Sequence, residues 1–356
     1  MVRKAVIVGG GVLGTMHALA ARRLGYEVTQ LEREAEARGA SVRNFGLIWV
    51  SGRRPGGELA LALRARELWE RVPGIAFRAA GSLTLATRDT ELALLKEASA
   101  LPDAGQRGFE LLDEAGVRAV NPAVRGAIAG GLYCRADAIV EPRLVLPALR
   151  DAARGPGYEW LPGREVTEIE PNSVRDHTGT WHRGDLVVLC TGAAARFLTG
   201  LPVRRVRLQM MQTVPFERIV TTALADADSL RYYPAYELPG RSRLAPQDPV
   251  AERTRAQLLL VQRADGSLTI GDTHSYDEPF GFDVDSDAYD HLRSRAEALL
   301  GGPLPRIQRR WAGVYSETTD DALYLRHQVA PGVVLVTAPG GRGMTCSPAI
   351  AEETFA

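Results

Sequence analysis

Three glycines near the N-terminus have the spacing that a nucleotide pyrophosphate requires. Gly9, Gly11 and Gly14 follow an apolar run at residues 4–8 and open a segment with a helical pattern. We predict that Gly9 permits a tight turn, that Gly11 lets the backbone approach a phosphate, and that Gly14 lets the helix pack closely on the strand. The N-terminus of that helix would then face the phosphate charge. These residues predict dinucleotide binding, and the alternative is a glycine-rich turn that holds no ligand.

A carboxylate follows at the position where a ribose would lie. Glu32 ends a second apolar run, residues 26–31, and comes 18 residues after Gly14. A carboxylate at this position accepts hydrogen bonds from ribose hydroxyls in dinucleotide-binding folds. We therefore assign Glu32 to the cofactor site. The neighbours that we expect to line the same site are Gly10, Val12, Leu13 and Arg33.

Two further polar turns favour FAD over NAD as the dinucleotide. Residues 39–46 are polar, glycine-flanked and too short to bury a core, so they could run beneath a long cofactor, with Ser41 and Asn44 bonding phosphate or ring atoms. Residues 339–345 lie between a strand and a helix, where backbone amides could meet the ring edge that becomes negative on reduction. The alternatives are a surface loop and a plain strand-to-helix turn.

A third nucleotide-side element is Thr191-Gly192, directly after a buried strand, although this signal is weak alone. The remaining predicted cofactor contacts are Val42, Phe45, Gly46, Val166, Gly341, Arg342, Gly343, Met344 and Thr345.

The elements that must position these residues alternate along the chain between two kinds of structure. Strand–helix–strand at the N-terminus indicates a doubly wound α/β unit. Alternating apolar patterns at 81–87, 206–215 and 257–273 indicate a mostly antiparallel sheet. We predict an α/β plus α+β fold, a Rossmann-type FAD-binding domain with an inserted sheet domain. The predicted FAD-binding segments are 1–78, 140–205 and 306–356, the substrate-binding segments are 79–139 and 206–305, and a closing helix begins at about Ser347.

Composition limits the function classes. The 43 basic and 43 acidic residues of the 356-residue chain leave no basic excess, so we expect no nucleic-acid partner. No apolar run is long enough to span a membrane, and the N-terminal run is typical of a first strand and not of a signal peptide. Cys134, Cys190 and Cys346 have no metal-type spacing, so we expect no metal and a reducing, cytoplasmic location. The oligomeric state stays open.

Five motifs occur in the order found in the D-amino-acid-oxidase superfamily, which the chain resembles, and the glycine oxidase and sarcosine oxidase branch is nearest. They are Gly9 to Gly14, Ser41-x-Arg43-Asn44-x-Gly46, Cys190-Thr191-Gly192, Trp311-Ala312-Gly313 and Gly341 to Thr345. The resemblance implies a two-domain enzyme with non-covalent FAD that removes hydride from the carbon beside an amine. The imine would hydrolyse to a carbonyl compound, and dioxygen would reoxidise the flavin to give hydrogen peroxide.

One departure from that branch bears on the substrate. The position two residues after Trp311-Ala312-Gly313, where glycine oxidase-like proteins hold a carboxylate-binding arginine, is Tyr315. A tyrosine cannot form the bidentate ion pair that a planar carboxylate prefers. Arg342 matches a second substrate-side arginine of the family and could bind an anion. His274 could act as a base for the amine, or it could be a hydrogen-bonded loop histidine.

A longer string resembles a narrower branch that is associated with phosphonate catabolism. It comprises residues 40–47 together with Gly271-Asp272-x-His274. That resemblance implies an aminophosphonate substrate, such as 2-aminoethylphosphonate or an N-methyl or hydroxylated relative, and a phosphonoaldehyde product. The alternatives are a glycine- or sarcosine-type oxidase, an amine dehydrogenase with another electron acceptor, and a flavin-binding scaffold without enzyme activity. Aromatic hydroxylases and halogenases fit less well, because the C-terminal glycine turn is not theirs.

Overall fold

The computed structural model describes residues 2–194 and 197–356. The N-terminal strand forms the centre of a mostly parallel sheet, because it pairs in parallel on both of its edges. Apolar side chains cover both faces of such a sheet, since helices pack on each side. Within the described ranges the sheet has the order β18 (Leu325–Ala330), β19 (Val333–Thr337), β12 (Leu186–Leu189), β1 (Lys4–Val8), β2 (Glu27–Glu32) and β8 (Tyr158–Pro162).

The helix that follows the glycine turn is buried along most of its length against two other helices. Its neighbours on this face of the sheet include the last helix of the chain and the helix that follows Pro142. The helices of the described residues are α1 (Val12–Arg23), α2 (Gly57–Glu70), α3 (Asp89–Ser99), α4 (Ala104–Arg107), α5 (Glu114–Val120), α6 (Val145–Ala153), α7 (Ser229–Tyr232), α8 (Pro249–Thr254), α9 (Ser286–Leu300) and α10 (Gly343–Phe355).

A larger sheet, antiparallel except where β14 meets β4, forms the second layer. Its apolar faces contribute to two separate clusters of buried side chains. In the described part of the chain its order is β17 (Ile307–Thr318), β13 (Val203–Pro215), β16 (Ser267–Gly271), β15 (Leu259–Gln262), β14 (Ala223–Ala225), β4 (Ser82–Ala86), β6 (Gly130–Cys134) and β5 (Phe109–Leu112). Smaller sheets join β9 (Val166–Glu170), β10 (Ser173–Asp176) and β11 (Trp181–Arg183), and join β3 (Leu47–Ile48) to β7 (Ala138–Ile139).

The predicted fold class is confirmed, but one predicted segment lies in the other layer. β17 was assigned to the nucleotide-binding segment 306–356, whereas it pairs with β13 along its length, from Val203 opposite Thr318 to Thr213 opposite Ile307. Two long, twisted strands bury most of their backbone groups by pairing with each other. β17 therefore lies in the large sheet and carries Tyr315 from that sheet toward the nucleotide-binding layer.

The last helix begins at Gly343, four residues before the predicted start at Ser347. Pro348 lies inside the helix. A proline has no N–H to donate to the carbonyl four residues earlier, which here belongs to Met344. The indole N–H of Trp69 donates to that carbonyl instead, at 3.0 Å, so the early start leaves no unpaired acceptor there.

Within residues 2–194 and 197–356, no helix has the length and apolar character that crossing a membrane requires. The same residues contain no group of three or more His, Cys, Asp or Glu side chains that could hold a metal ion.

A fully buried arginine joins the large sheet to the segment that follows β3. Arg107, at the end of α4, donates hydrogen bonds to the carbonyls of Val50, Ser51 and Arg53 and to the carboxylate of Asp103. A buried guanidinium must have its donors satisfied, because an unpaired buried charge is costly. This interaction therefore fixes the course of residues 50–53, which place Arg53 on the wall of the cavity described below.

We predict that Arg107→Met lowers the free energy of unfolding by roughly 3–5 kcal/mol, because it removes a buried donor from the carbonyls of Ser51 and Arg53 and from the carboxylate of Asp103. Urea unfolding of the flavin-loaded protein, followed by far-UV circular dichroism, measures the change. Arg135→Met is the matched control, since Arg135 is exposed and a surface substitution should change the free energy by less than about 0.5 kcal/mol. Equal effects of both substitutions would contradict the role given to Arg107.

Candidate active site

The glycine turn after β1 leaves no room for side chains. Gly9 has a φ of +115°, and a Cβ built on it would lie 2.3 Å from the carbonyl oxygen of Cys190. A Cβ on Gly14 would lie 2.1 Å from the carbonyl oxygen of Gly9. Glycine is required where backbone segments approach this closely. The first turn of α1 is therefore held tightly against the end of β1, as the spacing predicts.

Glu32 and Ser41 lie beside this turn. The buried Glu32 carboxylate accepts a hydrogen bond of 2.7 Å from the amide of Gly10 and one of 3.0 Å from the amide of Glu34. The hydroxyl of Ser41 accepts a hydrogen bond of 2.9 Å from the amide of Val12, in the first turn of α1. A carboxylate with two oxygens can accept further hydrogen bonds, which is the capacity that ribose hydroxyls require.

A single cavity of about 1200 Å³ runs from this turn to the large sheet. Its volume exceeds the roughly 300–1,000 Å³ of an ordinary small-molecule site, which suits a long cofactor together with a small substrate. Arg33 and Val166 line one end, and Arg342, His274 and Tyr315 line the other. The other predicted cofactor residues on its wall are Gly9, Gly11, Val12, Leu13, Glu32, Ser41, Asn44, Phe45, Thr191, Gly192, Gly341, Gly343, Met344 and Thr345.

Four of the predicted contact residues lie behind the wall of the cavity and not on it. Gly10 and Gly14 pack within the turn itself, and a Cβ on Gly10 would lie 2.5 Å from the indole of Trp160. Val42 packs against an apolar cluster that includes Met16. A Cβ on Gly46 would lie 2.0 Å from a neighbouring backbone oxygen. These residues shape the turns, and their neighbours face the cavity.

The side chain of Asn44 is occupied by its own loop. Its amide nitrogen donates to the carbonyls of Ala40 and Ser41, and its oxygen accepts a hydrogen bond of 2.6 Å from the amide of Gly46. From the sequence, we expect this side chain to bond a phosphate or ring atoms. In the structure Asn44 instead holds the shape of residues 40–46, and the backbone of that segment borders the cavity.

The C-terminal turn brings the start of α10 to the cavity. Residues Gly340–Arg342 form a short 3-10 turn that leads directly into α10 at Gly343. The first amides of a helix are free of intrahelical partners and carry a partial positive charge. The hydroxyl of Thr345 accepts a hydrogen bond of 2.9 Å from the amide of Trp49. The helix start is therefore fixed against the segment that follows β3, and its amides can meet an electron-rich ring edge.

The hydroxyl of Thr191 is a second feature of the cavity wall that suits a ligand. The buried hydroxyl of Thr191 makes no hydrogen bond within the described residues. The carbonyl of Gly192 next to it accepts hydrogen bonds from Ser316 and Thr337. A buried hydroxyl without a partner is costly unless a ligand satisfies it. Together with the glycine turn and Glu32, this hydroxyl fits a bound dinucleotide.

The anion-binding candidate Arg342 shares a carboxylate with a second arginine. Its Nε lies 3.6 Å from Oε1 of Glu58, and the NH1 group of Arg53 lies 3.5 Å from the same oxygen. Arg53 is buried, whereas 22% of the Arg342 side chain is exposed. Two positive charges thus face one negative charge. The cavity retains a positive excess beside Arg342, which the sequence analysis did not find because Arg53 and Glu58 carry no motif.

Two tyrosine hydroxyls lie at this end of the cavity. Burial raises the pKa of Tyr232 and of Tyr315, so both phenols stay protonated and can donate hydrogen bonds. The Tyr315 hydroxyl has no hydrogen-bond partner of acceptable geometry in the described part of the chain. The Tyr232 hydroxyl lies 3.7 Å from the position that a Cβ on Gly341 would take. Both donors therefore lie near the turn that carries Arg342.

His274 is buried and held on two sides. Its Nδ1 lies 3.1 Å from the carbonyl oxygen of Arg255, and its ring stacks on Tyr232 with 4.3 Å between the ring centres. Because a carbonyl only accepts, Nδ1 carries the proton, which leaves Nε2 directed to Asp272 at 3.8 Å. His274 is therefore a hydrogen-bonded loop histidine that also borders the cavity, and its action as a base stays a prediction.

Residues 4–356 match the model of the family described as DAO, FAD dependent oxidoreductase. The chain belongs to this family. The match covers nearly the whole chain, so the predicted FAD cofactor and the predicted class of FAD-dependent oxidoreductase are confirmed.

Relatives of this oxidoreductase agree with the assignment. It is 31% identical to a putative thiamine biosynthesis oxidoreductase ThiO from Rhizobium etli over 53% of this chain and 54% of that protein. The chain spans about half the length of the curated relatives it matches. Glycine oxidase from Geobacillus kaustophilus superposes with a TM-score of 0.76 at 21% identity, covering 98% of this chain and 93% of that one. L-α-glycerophosphate oxidase from Mycoplasma pneumoniae, with FAD bound, superposes with a TM-score of 0.75 at 18% identity, covering 100% of this chain and 94% of that one.

We predict that Glu32→Gln weakens FAD binding roughly 10- to 100-fold, because it removes the charged acceptor for the ribose. Flavin content after purification and fluorescence titration of the apoprotein measure the loss. Glu34→Gln is the matched control. Glu34 also lines the cavity, but its carboxylate faces Arg33 and is half exposed, so we expect a change below about threefold. A similar loss in both variants would exclude a specific ribose contact by Glu32.

Proposed function

We propose that this oxidoreductase oxidises a small amine that also carries an anionic group, and that an aminophosphonate is the preferred substrate. The observation that supports this most strongly is the buried, protonated Tyr315 hydroxyl, which lies near the Tyr232 hydroxyl and makes no hydrogen bond of acceptable geometry within the described residues. A tetrahedral phosphonate presents three acceptor oxygens, whereas a planar carboxylate presents two. One arginine with two phenol donors suits the tetrahedral phosphonate, and a bidentate ion pair with arginine suits the planar carboxylate.

FAD supplies the hydride acceptor when it is bound, and the chain supplies position and electrostatics. Arg342 would hold the anionic group, with Tyr315 and Tyr232 donating to its remaining oxygens. Trp49 and Tyr233, whose ring centres lie 5.7 Å apart, form an apolar wall that would keep water from the reacting carbon. The amine would lose hydride from its neighbouring carbon, and water would convert the resulting imine to a phosphonoaldehyde and an amine or ammonia.

Oxidation of glycine or sarcosine is the second candidate, because the fold is that of glycine oxidase. It is favoured by the positive excess at Arg53 and Arg342, which would also bind a carboxylate. Dioxygen is the electron acceptor that we propose, and a dehydrogenase with a different acceptor is the alternative. Formation of hydrogen peroxide in air distinguishes these two.

We predict that 2-aminoethylphosphonate or its N-methyl form bleaches the flavin under anaerobic conditions faster than glycine or sarcosine does. The measurement is the absorbance near 450 nm in a stopped-flow instrument, with each amine added separately at the same concentrations. Release of hydrogen peroxide on admission of air then tests the acceptor. Bleaching by glycine or sarcosine alone would overturn the phosphonate proposal and leave the amine oxidase proposal standing.

We predict that Tyr315→Phe weakens substrate binding roughly 10- to 100-fold, since a hydrogen bond to a charged group is lost, while protein stability is unchanged. Stability should change little because the hydroxyl makes no hydrogen bond of acceptable geometry among the described residues. Tyr236→Phe is the matched control: its hydroxyl is fully buried, interacts with Thr84 and is remote from the cavity wall. That variant should lose stability and keep substrate affinity. The reverse pattern would remove Tyr315 from the substrate site.

A further inference from the structure

A buried carboxylate with spare hydrogen-bonding capacity lines the same cavity. Asp272 follows β16, and its backbone is fixed by two hydrogen bonds with Gln257, of 2.8 and 3.0 Å. Its side chain is only 9% exposed, and Oδ1 has no hydrogen-bond partner within residues 2–194 and 197–356. An ionised carboxylate offers about four acceptor positions. Asp272 therefore has unused acceptor positions in a buried environment, where a polar group without a hydrogen-bond partner is costly.

Its neighbours do not satisfy this carboxylate. Nε2 of His274 lies 3.8 Å from Oδ2 of Asp272, which is within the range of an ion pair and too long for a hydrogen bond. Burial raises the pKa of the Asp272 carboxyl, while the nearby imidazole of His274 and the side-chain amide of Gln257 oppose that rise. His274 cannot move closer freely, because its other nitrogen is held by the carbonyl of Arg255 and its ring is stacked on Tyr232.

Two groups of charged side chains lie on the cavity wall near the C-terminal turn and the end of β16. Arg342 and Arg53, facing Glu58, leave a positive excess beside the C-terminal turn. Asp272 contributes a negative charge from the end of β16. The two groups are carried by different elements and make no ion pair with each other among the described residues. A ligand that bears both an anion and a cation would satisfy both groups, and a simple anion would satisfy only one.

We propose that Asp272 binds the amino group of the substrate, with His274 and Gln257 holding the carboxylate in place. This proposal rests on the proposed function and names a further binding residue for it. An ammonium or N-methylammonium group would donate to the carboxylate oxygen that has no partner. Asp272 would thereby select amines over alcohols and over anions that lack nitrogen. Arg342 and Asp272 together would set the direction in which the substrate lies.

The test compares ligand pairs that differ only in the amino group, 2-aminoethylphosphonate with ethylphosphonate and glycine with acetate. Affinities come from the concentration dependence of anaerobic flavin reduction for amines and from perturbation of the flavin absorbance for the others. In the unmodified protein the amine of the preferred pair should bind at least about 30-fold more tightly than its partner. Equal affinity within both pairs would overturn the proposal without any variant.

Asp272→Asn then tests the residue, since it removes the charge and keeps the shape. We expect the amine ligand to lose about 30-fold or more in affinity, while the ligand without nitrogen binds as well as before or more tightly. Glu317→Gln is the matched control, because Glu317 also lines the cavity but is already paired with Arg204 at 2.6 Å. It should change either affinity by less than about threefold.

The outcomes separate this proposal from the proposed function. If Asp272→Asn lowers the affinity of both ligands equally, the role of Asp272 is structural and the inference is overturned. If amines bind in a manner that depends on Asp272 but never reduce the flavin, the inference stands and the proposed reaction fails. If amines reduce the flavin and Asp272→Asn binds them normally, the inference fails alone. If no ligand of either pair perturbs the flavin, both proposals fall.

Discussion

A charged group that is buried away from water must be paired, and the junction between the two sheets is organised by that requirement. Arg107 satisfies its donors on the carbonyls of residues 50–53, and the adjacent amides of Val50 and Ser51 donate to the buried carboxylate of Asp137. The segment held in this way places Arg53 beside the carboxylate of Glu58, and the same carboxylate also faces Arg342. The position of the candidate anion-binding arginine thus depends on a sequence of paired charges that begins in the large sheet.

The cofactor end of the cavity depends on a different constraint, the close approach of backbone to backbone. α1 and α10 both begin at the cavity wall, and both starts require unusual local arrangements. At α1 the glycine turn removes every Cβ that would collide with the end of β1. At α10 the indole of Trp69 replaces the donor that Pro348 lacks, so the helix extends back to Gly343. Two helix N-termini, each with free amides, therefore face the places where phosphate charge and ring charge would lie.

The strand, tight turn and helix around the glycines were predicted correctly because their signals are local. The glycines, Glu32 and the elements between them lie within one short stretch, and their spacing alone specifies a strand, a tight turn and a helix. The substrate end has no such signal. Glu58 and Arg342 are far apart in the chain, and Asp272 was noticed only as part of a motif around His274. Partners of this kind are determined by sheet packing, which also explains why β17 was assigned to the wrong layer.

The replacement of an arginine by Tyr315 has a consequence for the charge of the whole substrate end. In their ionised forms, Arg53, Arg342, Glu58 and Asp272 together carry no net charge. A second substrate-side arginine would leave a positive excess that favours a simple anion. The phenol instead adds a donor without adding charge, because burial keeps it protonated. A zwitterion with several acceptor oxygens then fits better than a carboxylate alone, since it balances both charged groups and occupies the free hydroxyl at the same time.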